Sequence, residues 1–250
     1  MKVAISVIRA RRRSLAEMLE NHRYLPLAEV CSRLRVSEAT ARRDLRVLAR
    51  AKQITRTYGG ALGTLDATLV PFADRRGVAR PAKARIAARA RGLISPGSIC
   101  FFDSGTTIFA LAEALYREPV AGLCAVTNSL PVAEMLGRRT EIEVHLLGGR
   151  FLQRQSILLG DTARRSVRDW KFDLVFLGAE GVNARGVWAS QPEVAAFQRT
   201  LVARAKRVVV CAHAAKMGRA TGTFLAPWRA KFQLVTDASP ARRARHSLPL

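Results

Sequence analysis

Acidic residues are scarce in this chain: 19 against 42 lysines and arginines, for a formal charge of +23 over 250 residues. The deficit is uneven. Residues 1–60 carry 14 basic and 5 acidic residues and the other 190 carry 28 and 14, so positive charge is about twice as dense at the N-terminal end, as a polyanion-binding module requires. The basic remainder reflects heavy arginine use and does not demand a second nucleic-acid site. Cysteine is rare as well. Cys31, Cys100, Cys124 and Cys211 form no Cys-x-x-Cys pair, and no histidine stands at metal-ligand spacing. Each lies in an apolar segment, so small buried hydrophobes in a reducing compartment are expected, with no metal site and no cofactor. Apolar runs are short: none approaches the ~20 residues that cross a bilayer. The apolar start is too short for a secretory core and runs at once into Arg11, Arg12 and Arg13. A soluble cytoplasmic protein is expected. Internal repeats and low-complexity blocks are absent too, and the length suits one small and one medium domain, each with its own core.

What is present is concentrated between residues 25 and 61. Ser37 is a good helix N-cap, because its hydroxyl can accept from the free amides of the first turn. Ala41, Leu45 and Leu48 then recur at helical spacing and make one apolar face. The same spacing throws Arg42, Arg43, Arg46 and Arg50 to the other side, where guanidiniums can meet phosphates and base edges. Leu27, Val30, Cys31 and Leu34 make a shorter amphipathic helix opened by Pro26, and Arg35-Val36 is a tight connection between the two. Two such helices read as a helix-turn-helix over residues 25–44, the second helix lying in the major groove. Ile54 to Tyr58 followed by Gly59-Gly60 looks like a strand and a turn, which would make a wing. Tyr24 and Tyr58 are the only aromatics in residues 1–60, too few for the stacking surface of a single-strand RNA reader.

These residues resemble the N-terminal winged helix-turn-helix of the DeoR family of bacterial transcriptional regulators. The family pattern, Ser followed by Thr-x-Arg-Arg-Asp-Leu and later Arg-x-x-Gly-Gly-Ala, is met by Ser37, Thr40, Arg42, Arg43, Asp44, Leu45, Arg56, Gly59, Gly60 and Ala61. Ala41 departs from it, where the family usually has a β-branched residue. The resemblance implies a DNA-binding domain over residues 8–63. Its expected contacts are Arg42, Arg43 and Arg46 in the groove, Ser37 and Thr40 near the DNA backbone, and Arg56 and Tyr58 on the wing.

From 64 to 81 the pattern loses period among Gly77, Pro71 and Pro81, which reads as a linker entering a helix over 82–90. Short β-rich runs then alternate with helical ones. Strands are expected at 99–102, 123–127, 143–147, 174–177, 208–211 and 233–235, with helices at 109–115, 131–136, 163–167 and 194–203. Such alternation implies an α/β domain with a parallel sheet covered on both faces, over 82–240. The Arg-rich end, 241–250, reads as a disordered basic tail. Small polar residues collect after the strands, where ligands of such sheets bind. Asp103, Gly105, Thr106 and Thr107 stand at a strand-to-helix junction suited to a phosphate. Thr127, Asn128 and Ser129 stand at the next, Gly148 and Gly149 allow close backbone approach, and Lys216 follows the fifth strand.

The order of these residues resembles the C-terminal sensor domain of the same family, which is similar in fold to ribose-5-phosphate isomerase and binds phosphorylated sugars or related metabolites. Lys83, Gly160, Gly178 and Gly181 match as well. The resemblance implies a regulator of sugar-metabolism genes that acts as a homodimer or homotetramer on double-stranded operator DNA, repressing until a phosphorylated effector binds. Activation stays open, because its sign depends on where the operator lies. The rival reading is a sugar-phosphate isomerase, for which Asp103, Glu180 or Lys216 could move a proton. One stretch departs from the family. Ala-Asp-x-Ser-Lys is replaced by Ala212-His213-Ala214-Ala215-Lys216, which loses a carboxylate and a hydroxyl and gains an imidazole while keeping the lysine.

Overall fold

The computed structural model describes residues 5–22, 24–51, 54–57, 60–63, 72–153, 155–220 and 222–249. The chain divides into two compact units, Met1–Val70 and Pro71–Leu250. In the first, α1 (Ile5–His22) precedes β1 (Tyr24–Pro26), α2 (Leu27–Leu34), α3 (Glu38–Arg50), β2 (Ile54–Thr57) and β3 (Gly60–Gly63). Leu15 and Leu19 of α1, four residues apart and fully buried, complete a core made by Leu25, Val30, Ala41, Leu45, Leu48 and Ile54. That first helix was not foreseen, because its arginines mask the apolar spacing. Pro26 is the residue before α2 rather than its first member, with ψ 147° ending β1. Arg35 closes α2 in the left-handed region at φ 51°, its amide bonding back to Ser32, and this is the tight turn expected between the helices. The wing is a three-stranded antiparallel sheet in the order β1-β3-β2, with Ile54 opposite Gly63 and Thr57 opposite Gly60. Tyr58 and Gly59 lie outside the described residues.

The second unit begins with α4 (Phe72–Gly77) and α5 (Arg80–Arg91). Much of the stretch expected as linker is therefore helical: Phe72 is buried with its ring edge-on to Phe109 at 5.4 Å, and Arg76 covers the same ring. The chain continues through β4 (Ile99–Phe102), α6 (Thr106–Arg117), β5 (Leu123–Thr127), α7 (Leu130–Leu136), β6 (Ile142–Leu146), β7 (Arg150–Leu152), β8 (Ile157–Leu159) and α8 (Asp161–Ser166). It ends with β9 (Phe172–Gly178), β10 (Gly181–Asn183), β11 (Gly186–Ala189), α9 (Pro192–Arg204), β12 (Ala205–Cys211), β13 (Thr223–Ala226), β14 (Phe232–Val235) and α10 (Pro240–Arg245). The six strands read from sequence form one parallel sheet in the order β14-β12-β9-β4-β5-β6. Side chains alternate across it. Phe101, Val126, Phe172, Val175, Val208 and Val210 face α9, while Cys100, Phe102, Phe176, Val209 and Cys211 face α5 and α6. The other five strands are antiparallel and were not foreseen; they are three or four residues long, beside glycines, too short to show a period.

The basic end also differs from expectation. Ser239 caps α10 by accepting from the Arg242 amide at 3.3 Å, and Leu248, which follows the helix, is buried in the main core, so an ordered helix stands where a disordered tail is expected.

Sheet order fixes where a ligand can enter. From β4 the chain winds outward through β5 to β6, and from β9 it winds the other way through β12 to β14. The two series part between β4 and β9. A crevice opens beyond the strand ends at such a reversal.

Candidate DNA-reading helix and anion site

The Ser37 hydroxyl accepts from the Thr40 amide at 3.4 Å and lies 3.0 Å from the Thr40 hydroxyl. That cap starts α3 so that Ala41, Leu45 and Leu48 enter the core and Arg42, Arg43, Arg46 and Arg50 stay exposed. Arg42 leans on Glu38 at 3.4 Å, a surface pair one turn back that contributes a few tenths of a kcal/mol. Among the described residues no ion pair engages Arg43, Arg46 or Arg50. Arg56 lies on β2, opposite Ala61.

Asp44, inside the Arg-Arg-Asp-Leu run, has a different task. It is 1% exposed, and its two carboxylate oxygens accept from Arg11 and Arg12 of α1 at 2.7 Å each. A buried carboxylate held by two guanidiniums ties α3 to α1. Arg11 and Arg12, which follow the apolar start, are thus half of a structural clasp. Nothing local in the sequence pairs residues 32 and 33 positions apart.

In the second unit the expected effector residues all reach the carboxyl edge of the sheet, but they divide into two kinds. Asp103, at the end of β4, is 2% exposed; Oδ2 accepts from Gln198 Nε2 at 2.7 Å and from the Gly178 amide at 3.1 Å. It therefore bridges the reversal between β4 and β9 and is spent on the protein rather than open to a sugar hydroxyl. Burial pushes its pKa up to about 6 against the opposing hydrogen bonds from Gln198, Ser104 and Gly178. Thr127 is fully buried and bonds to the Phe102 carbonyl at 2.7 Å, while its oxygen receives the Ser129 amide. Asn128 donates to the Leu158 carbonyl at 3.0 Å. Thr127, Asn128 and Ser129 thus shape the edge from beneath, although Asn128 Oδ1 and Ser129 Oγ are buried without a partner.

The second kind begins with Gly105, which precedes α6 at φ +113° and leaves that helix without a side-chain cap. A Cβ there would meet open space, so the glycine serves the backbone shape and leaves room above the first-turn amides. Thr106 is buried at 8% exposure and Thr107 half-buried beside it. Gly148 is exposed. Gly149 is required by close packing, since a Cβ would fall 2.6 Å from the Leu159 carbonyl oxygen.

Lys216 follows β12 and meets Glu180, which follows β9, at 2.6 Å. Around this pair gather cations that sequence reasoning did not assign to the site. Lys83 of α5 is 5% exposed and donates to the Arg75 carbonyl at 2.7 Å. Its pKa is pulled down to about 8, first by burial and then by the charges of Arg75 and Lys216. Arg75 is pulled down too by burial, with Glu180 opposing. Three cations thus share one neighbourhood, with Glu180 paired to Lys216 and acting on Arg75. Gln198 was missed as well, since nothing in a helix sequence reveals that one glutamine faces a carboxylate 95 positions away.

His213 proves to be a cap. Its Nδ1 accepts from the Ala215 amide at 3.3 Å, while Asp237 takes the Ala214 amide at 2.8 Å. Burial and then Lys216 pull its pKa down, against Asp237, so the neutral ring that this acceptor role requires is favoured. The imidazole thus serves as a turn acceptor at this position without adding a negative charge beside Lys216.

The cysteines meet the expected burial only in part. Cys100 and Cys211 are buried hydrophobes, but Cys31 and Cys124 are half-buried, and Cys124 lies with Glu143 and His145 in a group of potential metal ligands. Among the described residues no helix is long and apolar enough to cross a membrane.

A reader helix on a winged core, joined in one chain to a sheet whose switch point gathers cations, defines a ligand-responsive transcriptional regulator. Residues 11–64 match the DeoR-like helix-turn-helix domain and residues 79–238 the DeoR C terminal sensor domain, and the chain belongs to the DeoR family. It is 28% identical over 228 residues to the HTH-type transcriptional repressor GlcR of Bacillus subtilis, covering 91% of this chain and 87% of that protein. It is 28% identical to the glycerol-3-phosphate regulon repressor of Escherichia coli, covering 92% and 91%. Ribose 5 phosphate isomerase A from Neisseria gonorrhoeae has 19% identity and a TM-score of 0.41 over 54% of this chain and 52% of that one, a likeness too slight to carry chemistry.

Proposed function

We propose that this regulator represses its target genes and releases operator DNA when a phosphorylated sugar or related organic phosphate binds the carboxyl edge of the sensor sheet. One observation carries the reading: Lys83 is buried, lacks a carboxylate among its described partners, and is crowded by Arg75 and Lys216. A buried ammonium pressed by like charges is costly, and an arriving dianion relieves that cost. The phosphate would rest on the first-turn amides of α6 at Gly105 to Thr107 and on this cationic group. Asp103, Thr127, Asn128 and Ser129 act behind that cradle, and Gly148 and Gly149 form its rim. The names of the related repressors support repression and a sugar-linked effector.

Catalysis is not part of the proposal. An isomerase needs a base at the reacting carbon, whereas Asp103 is committed to Gln198 and Gly178, and Glu180 and Lys216 neutralise one another. On DNA we expect an even-numbered assembly on symmetric half-sites. The test begins with an operator duplex selected from a random-sequence pool. Release of the full chain is then titrated with triose, pentose and hexose phosphates, the matching free sugars, and inorganic phosphate. Release by a sugar phosphate but not by its free sugar is expected; release by none would remove the effector assignment.

A further inference from the structure

β5 and β6 are parallel neighbours in which Cys124 stands opposite Glu143 and Val126 opposite His145. Residues two apart on a strand share a face, so Glu143 and His145 point the same way as Cys124. Their ligand-type atoms all lie within 4.8 Å of one another, and His145 Nε2 is 2.7 Å from Glu143 Oε1. We propose that these residues form a transition-metal site of the zinc class, with Cys124 Sγ, a Glu143 oxygen and His145 Nε2 as ligands.

Geometry and donor chemistry agree. A tetrahedral zinc at about 2.0–2.3 Å from each ligand keeps those atoms about 3.3–3.8 Å apart. Closing around an ion therefore asks only that the exposed tips of Glu143 and His145 shift by about an ångström. The half-buried Cys124 is held by the core, and the His145 ring is steadied edge-on by Trp170 at 4.9 Å. A histidine–glutamate contact alone would be an ordinary surface pair. The thiol changes the class, because a sulfur, nitrogen and oxygen set favours zinc, cobalt, nickel or copper over magnesium or calcium. Three protein ligands leave a fourth position for water or another donor.

Placement gives the site a consequence. β6 is the edge strand of the parallel sheet, and two of the three ligands come from it. The same two strands run directly into Thr127–Ser129 and Leu147–Gly149, the rim of the proposed effector cradle. A bound ion would staple this edge to its neighbour within a few residues of that rim. The metal site stands on its own, whatever the effector proves to be.

The test uses the full chain, stripped with a chelator and titrated with Co²⁺, whose thiolate charge-transfer absorption reports a cysteine ligand. One equivalent should bind with that band, and Zn²⁺ should displace it. Cys124→Ser should lose the band, Glu143→Gln and His145→Ala should each weaken binding at least about tenfold, the scale seen even for outer-shell partners, and Cys31→Ser should change nothing. Because Glu143 is exposed, Glu143→Gln decides the case should Cys124→Ser fail to fold. Absence of cobalt binding at micromolar concentration, or a band that survives Cys124→Ser, would overturn the site.

Discussion

The two units each gather positive charge, in opposite ways. On α3 the arginines stand outside on a helix whose other face is core, and the nearby buried charge, Asp44, is matched by Arg11 and Arg12. At the sensor edge Lys83 is inside, the charges of Arg75 and Lys216 press on it, and its described hydrogen bond goes to a backbone carbonyl. A polymer of phosphates is read by charges that stay hydrated until contact, which leaves affinity exposed to salt. A single small anion is better held by charges already stripped of water, which need it as a counter-charge. The first arrangement costs the fold little; in the second, burying a lysine among like charges is unfavourable, and under the proposed function an arriving anion would offset that cost.

The largest effect should come from breaking the exposed side of this contrast. Replacing Arg42, Arg43 and Arg46 together by alanine should abolish operator binding while leaving the unfolding transition intact. Singly, Arg43→Ala should cost ~1–3 kcal/mol if it reads a guanine. If it meets phosphate instead, the slope of log affinity against log salt should drop by about 0.9. Unchanged operator affinity in all three single variants would unseat α3 as the reader.

The same contrast explains what the sequence made legible. Ser37, the apolar spacing and the outward arginines all lie within one helix, so local periodicity was enough to place α3 and its exposed basic face. The six parallel strands were legible because each is a buried apolar run, and their ends pointed correctly to one edge. Illegible were the pairings that only folding makes: Asp44 with Arg11 and Arg12, Asp103 with Gln198, Lys83 beside Lys216, Cys124 beside Glu143 and His145. Residues such as Asp103 and Thr127, picked out as contacts by their position after strands, turned out to be braced inside. Position relative to a strand end says where a residue is, but its hydrogen-bond partners decide whether it is free to face a ligand.

Next in size is the clasp. Asp44→Asn leaves two guanidiniums facing a neutral amide at a buried position, and the N-terminal unit should lose about 3 kcal/mol of stability. Denaturant unfolding checks this, and operator affinity measured well below the transition midpoint should change far less. A stability loss under about 0.5 kcal/mol would mean that the pairs are surface-like.

Lys83→Met tests the buried side. Operator binding should persist, and release by the active sugar phosphate should be lost; Thr106→Ala and Lys216→Ala should blunt release more mildly. The lysine also sets a pH signature. Its folded pKa of about 8 lies below the ordinary lysine value, so the unfolded chain holds the proton more tightly. Stability from this group should therefore rise with pH above about 8 and level off near the unfolded value, since the unfolded state binds more protons in that window. Effector affinity should move the other way. A dianion favours the protonated lysine, so affinity falls as pH climbs past about 8, and Lys83→Met should erase that limb. A wild-type affinity that stays flat from pH 7 to 9.5 would place the phosphate away from Lys83.

The smallest expected change is the most discriminating. Glu180 holds Lys216 at 2.6 Å, and the pair is only partly exposed, so it already occupies one cation that a phosphate would use. An incoming anion must share Lys216 with it. Glu180→Gln removes the competing charge and should tighten anion binding by ~1 kcal/mol, roughly fivefold, with the gain shrinking at high salt. Two probes separate this from another role. If Glu180 only competes, inorganic phosphate and the active sugar phosphate should both gain. If it also accepts a hydroxyl from the sugar, inorganic phosphate should gain while the sugar phosphate gains less or loses, because the amide replaces a charged acceptor with a weaker one. Isothermal titration of both ligands into wild type and variant distinguishes these outcomes. No change for either would show that Lys216 contributes little to the anion, leaving Lys83, Arg75 and the amides of α6 to hold it.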